Sequence, residues 1–447
     1  MTTNPSRSDA PSHVRVHPAT LSGEVRPPGD KSCSHRALIL GALVGQPVEV
    51  SGLAPSRDVA ATAAALALLG ARIDLATDAD GMLTGTVSGP LSEPSDILDC
   101  GNSGTSLRLL AGVVAAIDGV SVLTGDASLR QRPVDRVRDP LTRMGARIDA
   151  RDGGRLPPLV VRGGPLTGID HASPVASAQV KSCLLLAGLR AEGPTTITSP
   201  LPSRDHTERM LTHLGGRVTR TVDDDGRETV QLHPGQLTAA AIGVPGDPSS
   251  AAFWLVAAAA GAGEIRATDV CANPTRLGVV TALEALGADV EVVAEEQRSG
   301  EPVADLRCRP TTLTGATIAG RDVVDAIDEL PVLALAGAAS RDGLEVRDAG
   351  ELRVKESDRI VTLAAALRAL GLAIEERADG YRVPGGQRPG PGTVHAAGDH
   401  RIAMTAAIAG VLASGPVEIT GFEAVASSYP SFLADLRRLG GDVEVLA

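Results

Sequence analysis

Six times along its 447 residues, this chain closes a leucine-rich stretch with a glycine and then begins an alternating one. The copies read LALLGARIDL (66–75), LTRMGARIDA (141–150), LTHLGGRVTR (211–220), LEALGADVEV (283–292), LRALGLAIEE (367–376) and LRRLGGDVEV (436–445). Their glycines, Gly70, Gly145, Gly215, Gly287, Gly371 and Gly440, lie 69 to 84 residues apart. Self-similarity at such a period means one structural unit used repeatedly. Each copy reads as an amphipathic helix stopped by a glycine in its C-terminal capping position, followed by a strand with alternating apolar residues. A second helix recurs at the same period, starting near residues 29, 101, 176, 246, 327 and 398, where a polar or small residue able to cap it precedes an apolar run. Short apolar segments between the helices, such as VEVSGL, VSVLTG and TTITSP, read as strands.

The sixth unit, from 398 onward, has only 50 residues, whereas the other helix starts are 70 to 81 apart. The strand-like segment HVRVHPATLSGEVRPP near the amino terminus supplies the missing part if it completes that unit in space. Two domains of three units each are then expected, one over 30–245 and one over 1–29 plus 246–447. The chain would cross between them twice, near Gly29 and Gly246, which predicts a hinge and a ligand cleft.

Composition narrows the function. A net charge of −12 argues against a nucleic-acid surface, where a basic stripe is needed. It permits small anionic ligands wherever cations gather locally. The five cysteines form no C-x-x-C pair, so neither a disulfide framework nor a structural zinc site is expected. MTTNPSRSDAPSHVR carries no apolar signal core, and no apolar run approaches the ~18 residues that span a bilayer. The expectation is a soluble, cytoplasmic protein that binds neither membrane nor nucleic acid. Aromatic residues are 1% of the chain, so the core must be built from Ala, Leu, Val and Ile.

The exceptional residues sit at the helix starts. Lys31, Ser32 and Arg36 stand at the first, Asn102 to Thr105 with Arg108 at the second, and Ser177, Gln179 and Lys181 at the third. Asp328 and Glu329 stand at the fifth, and Asp399, His400 and Arg401 at the sixth. The alternate helices add Arg132, then Ser203 to His206, then Lys355 to Arg359. A cation at a helix amino terminus opposes the dipole, and an anion bound there offsets the cost. Any one such group is explained by capping or a surface ion pair. Their recurrence at equivalent points of a repeat points to bound phosphate or carboxylate. His206 and His400 have no partner at metal-ligand spacing and are expected to make local hydrogen bonds, while Cys100 reads as a small buried thiol rather than a nucleophile.

These residues carry a resemblance. PGDKSCSHRALILGAL (28–43), GNSGTSLR (101–108), RQRP (130–133), SAQVK (177–181), RDHTE (204–208), VKESDR (354–359) and GDHRIAM (398–404) closely resemble, in order, the motifs of 5-enolpyruvylshikimate-3-phosphate (EPSP) synthases. The resemblance implies a two-domain inverse α/β barrel of six βαβαββ repeats, three per domain. It implies transfer of the enolpyruvyl group of phosphoenolpyruvate to the 5-hydroxyl of shikimate 3-phosphate, without metal or organic cofactor. Lys31 would touch both substrates. Ser32, Arg36, Ser177, Ala178, Gln179, Ser203 and Arg204 would bind shikimate 3-phosphate, with Asp328 and Lys355 near its reacting hydroxyl. Gly104, Arg132, Arg359 and Arg401 would hold phosphoenolpyruvate, the arginines through bidentate contacts. Asp328 is the expected base and Glu356 the expected acid, with Lys31 as rival or helper. A monomer is expected.

Three departures stand out. Ala178 replaces a serine, and Ser427 replaces a lysine, of some members. GDKS (29–32), SAQVK (177–181), RDHTE (204–208) and NPTR (273–276) resemble the glyphosate-tolerant subgroup, whereas Gly104 is the residue associated with sensitivity, so intermediate sensitivity is expected. The related transferase acting on UDP-N-acetylglucosamine typically has a reactive cysteine before RQRP, but here that loop is TGDASLRQRP. A non-catalytic anion-binding protein would have no use for Asp328 and Glu356 among its cations.

Overall fold

The computed structural model describes residues 11–446. Each repeat is clearest in the second copy. There, strand Leu98–Asp99 leads into helix Gly104–Ala115, strand Gly119–Thr124, helix Asp135–Met144, and the pair Arg147–Ala150 and Leu156–Gly163. The first two strands run parallel across the helix, and the last two join antiparallel, giving a four-stranded sheet. Six sheets share this order, so the architecture is six βαβαββ units. Gly70, Gly145, Gly215, Gly287, Gly371 and Gly440 all have positive φ, between 77° and 118°, which a residue with a Cβ adopts only at a cost. That is why the helix-to-strand corner always carries a glycine.

Three short segments complete repeats far from them in sequence. Strand His13–His17 pairs with Val417–Thr420 and Asp442–Val445, filling the short sixth unit. Gly23–Val25 lies parallel to Ile265–Cys271, and Ile242–Gly243 lies parallel to Val48–Leu53. The chain divides into two compact units, Gly29–Pro245 with Gln297–Pro302, and the rest. Gly29 and the hairpin tip 297–302 therefore fall with the 30–245 part, not with the sequence-expected 1–29 and 246–447 part. The crossings are pinned within each unit by Asp30 N–H to the Pro245 carbonyl (2.7 Å) and Asp247 N–H to the Pro28 carbonyl (2.8 Å).

Each unit has one apolar core. At the centre of each lie the first helices of its repeats. Helix Leu330–Ala339 is buried on all faces save its last residue, and its apolar sequence is that of a helix with no solvent side. The cores differ in kind. That of Gly29–Pro245 has only aliphatic, Met and Cys side chains, because this stretch contains no aromatic residue. In the other unit, Trp254 stacks on Phe432 with centroids 4.8 Å apart, with Phe253, Phe422 and Tyr429 around them. Among the described residues, no helix is long and apolar enough to cross a membrane.

Candidate active site

The helix starts are where the polar chemistry collects. Five central helices have a side-chain cap: Asp30 accepts from Cys33 N–H (2.7 Å), Ser103 from Ser106, Ser177 from Val180, Asp247 from Ser249 and Asp399 from Arg401. The helix after Glu329 is the exception, with no side-chain cap.

In the unit Gly29–Pro245, Lys31 Nζ is 2.9 Å from Asp58 Oδ2, so the nearest partner of the expected double-contact lysine is a carboxylate. Arg36 is buried and fully directed by the protein. Its Nε donates to Thr207 Oγ1 (2.7 Å), its Nη2 to Ser182 Oγ (2.7 Å) and its Nη1 to the Ser32 carbonyl (2.8 Å). Burial lowers its pKa, against the pull of nearby acids. Arg108 joins two of the expected segments, giving hydrogen bonds to Gln179 Oε1 (2.9 Å) and the Gly104 carbonyl (3.3 Å). Gln179 in turn donates to Thr105 Oγ1 (3.1 Å). Arg132 Nη2 donates to Asn102 Oδ1 (2.8 Å). A Cβ on Gly104 would sit 2.7 Å from Arg108 Nη1 and 3.3 Å from Arg132 Nη1, so glycine keeps both guanidinium groups in place. Ser203 Oγ is buried without a hydrogen-bond partner among the described residues, beside half-buried Arg204.

In the other unit, Arg359 is a hub. Its guanidinium donates to Asp399 Oδ2 (2.8 Å), Glu356 Oε2 (2.5 Å) and Asp328 Oδ1 (3.3 Å). Burial works against its charge, yet Asp399, Glu356 and Asp328 outweigh that and raise its pKa. Lys355 Nζ lies 3.5 Å from Asp328 Oδ1, and Arg401 Nη2 lies 3.9 Å from Asp328 Oδ2. Arg401 Nε is buried with no hydrogen-bond partner among the described residues. The fold thus gathers Asp328, Glu356, Asp399, Lys355 and Arg401 around the guanidinium of Arg359. Three acids face three bases, so the cluster can exchange a carboxylate for a ligand anion without stranding a buried charge.

Several participants escaped sequence reading. Asp58, which no motif marked, contacts Lys31 directly, whereas Arg108 and Asp399, both marked at their helix starts, turn out to be partners of Gln179 and Arg359. Arg276, known from sequence only as the end of NPTR, donates to Asp247 Oδ1 (2.7 Å) and Ser249 Oγ (3.0 Å), and Ser249 donates to Glu329. Nothing in the spacing foretells that network. Ser427 hydrogen-bonds His400 Nδ1 (3.0 Å). His206 Nδ1 faces Glu301 Oε1 at 2.8 Å, and its ring shares a buried group with Asp30 and Cys33 whose potential ligand atoms lie within 4.8 Å of one another. Sequence spacing had shown no such neighbours. Cys100 is buried, and desolvation followed by Asp99 pushes its thiol up to about 12, which removes it as a nucleophile.

Fold and site together define an anion-handling α/β enzyme built from six repeats, with carboxylates set among its cations. The sequence profile of EPSP synthase (3-phosphoshikimate 1-carboxyvinyltransferase) matches residues 16–436. A 3-phosphoshikimate 1-carboxyvinyltransferase of Halorhodospira halophila is 48% identical over 434 residues, covering 96% of this chain and 97% of that one. The solved EPSP synthase of Acinetobacter baumannii superposes with a TM-score of 0.84 at 39% identity, covering 97% of this chain and 100% of the other. The enolpyruvyl transferase NikO of Streptomyces tendae shares the fold at a TM-score of 0.75 and 20% identity. The chain belongs to the EPSP synthase family.

Proposed function

We infer that the protein is a 3-phosphoshikimate 1-carboxyvinyltransferase of the shikimate pathway, transferring the enolpyruvyl group of phosphoenolpyruvate to the 5-hydroxyl of shikimate 3-phosphate and releasing phosphate. The observation that carries a catalytic reading is the placement of Asp328 and Glu356 on the same buried guanidinium, Arg359. An anion-binding protein needs the cations but gains nothing from two acids held among them. The loop TGDASLRQRP, without a cysteine, speaks against the UDP-N-acetylglucosamine reaction.

The chemistry adds the 5-hydroxyl to C2 of phosphoenolpyruvate while C3 gains a proton; the tetrahedral ketal then loses phosphate from C2 and a proton from C3, which restores the double bond as an enol ether. Asp328 serves as base for the hydroxyl and Glu356 as acid for C3, with Lys31 able to assist either transfer. Arg359 couples the two carboxylates, so a proton lost at one changes the field at the other. Arg132, Arg359 and Arg401, with the backbone at Gly104, bind phosphoenolpyruvate. Lys31, Ser32, Arg36, Ser177, Ala178, Gln179, Ser203, Arg204, Asp328 and Lys355 bind shikimate 3-phosphate. Fixed cations neutralise the developing phosphate charge without reorganising. Ser427, which hydrogen-bonds His400, stands where some relatives use lysine, so one cationic contact to phosphoenolpyruvate is missing here.

The test is phosphate release with both substrates, in EDTA, against blanks lacking either one. Release that depends on both and persists in EDTA is expected. Activity only with UDP-N-acetylglucosamine as acceptor would overturn the assignment, and silence with either acceptor would leave an anion-binding protein.

A further inference from the structure

One fully buried charge in the unit Gly29–Pro245, that of Lys181, has no part in the reaction described above. Lys181 has a completely buried side chain, and its ammonium lies 2.6 Å from Glu228 Oε2, 2.7 Å from Glu208 Oε1 and 3.3 Å from the Ser203 carbonyl. Arg220 Nε closes the set on the other oxygen of Glu228 at 2.7 Å. Burial opposes the charge on Lys181, but Glu208 and Glu228 outweigh it and raise its pKa. Two carboxylates and two cations leave the group neutral overall. Burying such charges seldom stabilises a fold more than apolar side chains of equal volume would. What the arrangement supplies instead is direction.

The direction is specific. Lys181 belongs to helix Ala178–Gly188, and its backbone N–H bonds the Ser177 carbonyl at 3.0 Å, so it shares the turn that holds Ser177, Ala178 and Gln179. Its third contact grips the backbone of Ser203, whose own hydroxyl is buried and finds no partner among the described residues. Arg204 follows immediately, and Glu208 lies in the first turn of the next helix, His206–His213. Through the Ser203 carbonyl the ammonium ties the Ser203–Arg204 segment to the Ser177–Gln179 turn, and further along Thr207 Oγ1 donates to Ser182 Oγ (2.7 Å). An unpartnered buried hydroxyl is costly, and an oxyanion accepting from it would recover that cost.

We propose that Lys181 is a positioning residue: through the Ser203 carbonyl it sets the hydroxyl of Ser203 and the guanidinium of Arg204 for the phosphate of shikimate 3-phosphate. The proposal rests on the activity inferred above and adds a residue that never touches the substrate. Because it acts on one substrate only, it separates from a general loss of structure.

The experiment compares steady-state kinetics and thermal unfolding of Lys181→Met, Lys181→Met/Glu208→Gln and Glu208→Gln with the parent protein. The double variant removes one charge of each sign, which keeps the buried group neutral if the single change prevents folding. In both variants lacking Lys181, KM for shikimate 3-phosphate should rise roughly tenfold or more, the worth of a charge-assisted hydrogen bond. Their kcat and KM for phosphoenolpyruvate should stay within about threefold of the parent. Glu208→Gln keeps the ammonium on Glu228 and on Ser203, so its KM for shikimate 3-phosphate should move no more than about threefold even where its melting temperature falls. An unchanged KM for shikimate 3-phosphate in the folded double variant overturns the proposal. So does an equal rise for both substrates, which marks a merely structural role. A parent protein inactive with this substrate pair removes the activity assignment, and the positioning role of Lys181 falls with it.

Discussion

At the residue scale, two side chains with opposite visibility in the sequence show what spacing can and cannot reveal. Asp328 stands at a repeated helix start, and its position alone marked it. Its contacts with Lys355, Arg359 and Arg401 bear out only that it has cations to work with. Asp328→Asn keeps an acceptor for Arg359 but removes the base, so turnover should fall by roughly 10²–10⁴ while both substrates still bind near normally. Calorimetric titration alongside phosphate release decides it, and loss of binding with turnover intact would reverse the assignment. His35 lies inside the motif PGDKSCSHRALILGAL, yet nothing in its spacing singles it out. It is buried against Thr62, with 2.7 Å from Nδ1 to Oγ1, and burial, then Lys31 and Arg36, push its pKa well below the ordinary imidazole value of 6.5. A group held neutral in the fold but protonated when unfolded contributes stability that is complete above 6.5 and is lost as pH falls below it. His35→Asn can keep the hydrogen bond while removing the titration. Urea unfolding between about pH 7 and 5 should show a shallower loss of stability in the variant by up to about 1.4 kcal/mol per pH unit. Equal slopes would mean that His35 is not kept neutral.

At the element scale, the repeat was legible because its signal is local. A glycine that ends a helix in a left-handed turn, an apolar face every third or fourth residue, and alternation over the next strand are all written within ten residues. The partner of Gly23–Val25, and Ile242–Gly243 as a strand at all, were not legible, since two or three residues carry no period. Ion pairing escaped for the same reason. Of the carboxylates on Arg359, only Glu356 is a near neighbour in the chain, while Asp328 and Asp399 arrive by folding. Packing between helices is equally hidden. A Cβ on Gly112 would lie 2.1 Å from the Cys183 carbonyl oxygen, so helices Gly104–Ala115 and Ala178–Gly188 touch backbone to backbone. Gly112→Ala must push them apart, and overpacking of this kind costs roughly 1–3 kcal/mol. The Arg108–Gln179 bond spans the same two helices. The variant should therefore lose thermal stability and raise KM for shikimate 3-phosphate together, as melting and steady-state assays would show. A melting temperature within error of the parent would mean that the helices have room to spare.

At the scale of the whole molecule, the two compact units repeat one architecture with different cores. One packs Ala, Leu, Val and Ile around sulfur-bearing residues, as the low aromatic content required. The other holds every tryptophan, tyrosine and phenylalanine in the chain, most of them in contact around Phe432. This division makes the protein optically lopsided. Emission from Trp254 and near-ultraviolet dichroism come from one unit alone, whereas far-ultraviolet dichroism sees the helices of both. Recording the two signals along one denaturation curve labels the halves without any dye. Coincident midpoints mean a single cooperative transition, and separated ones assign each step to its own unit. Gly112→Ala, on the dark side, provides the calibration: in independent units it should move the far-ultraviolet curve and leave the fluorescence midpoint where it was.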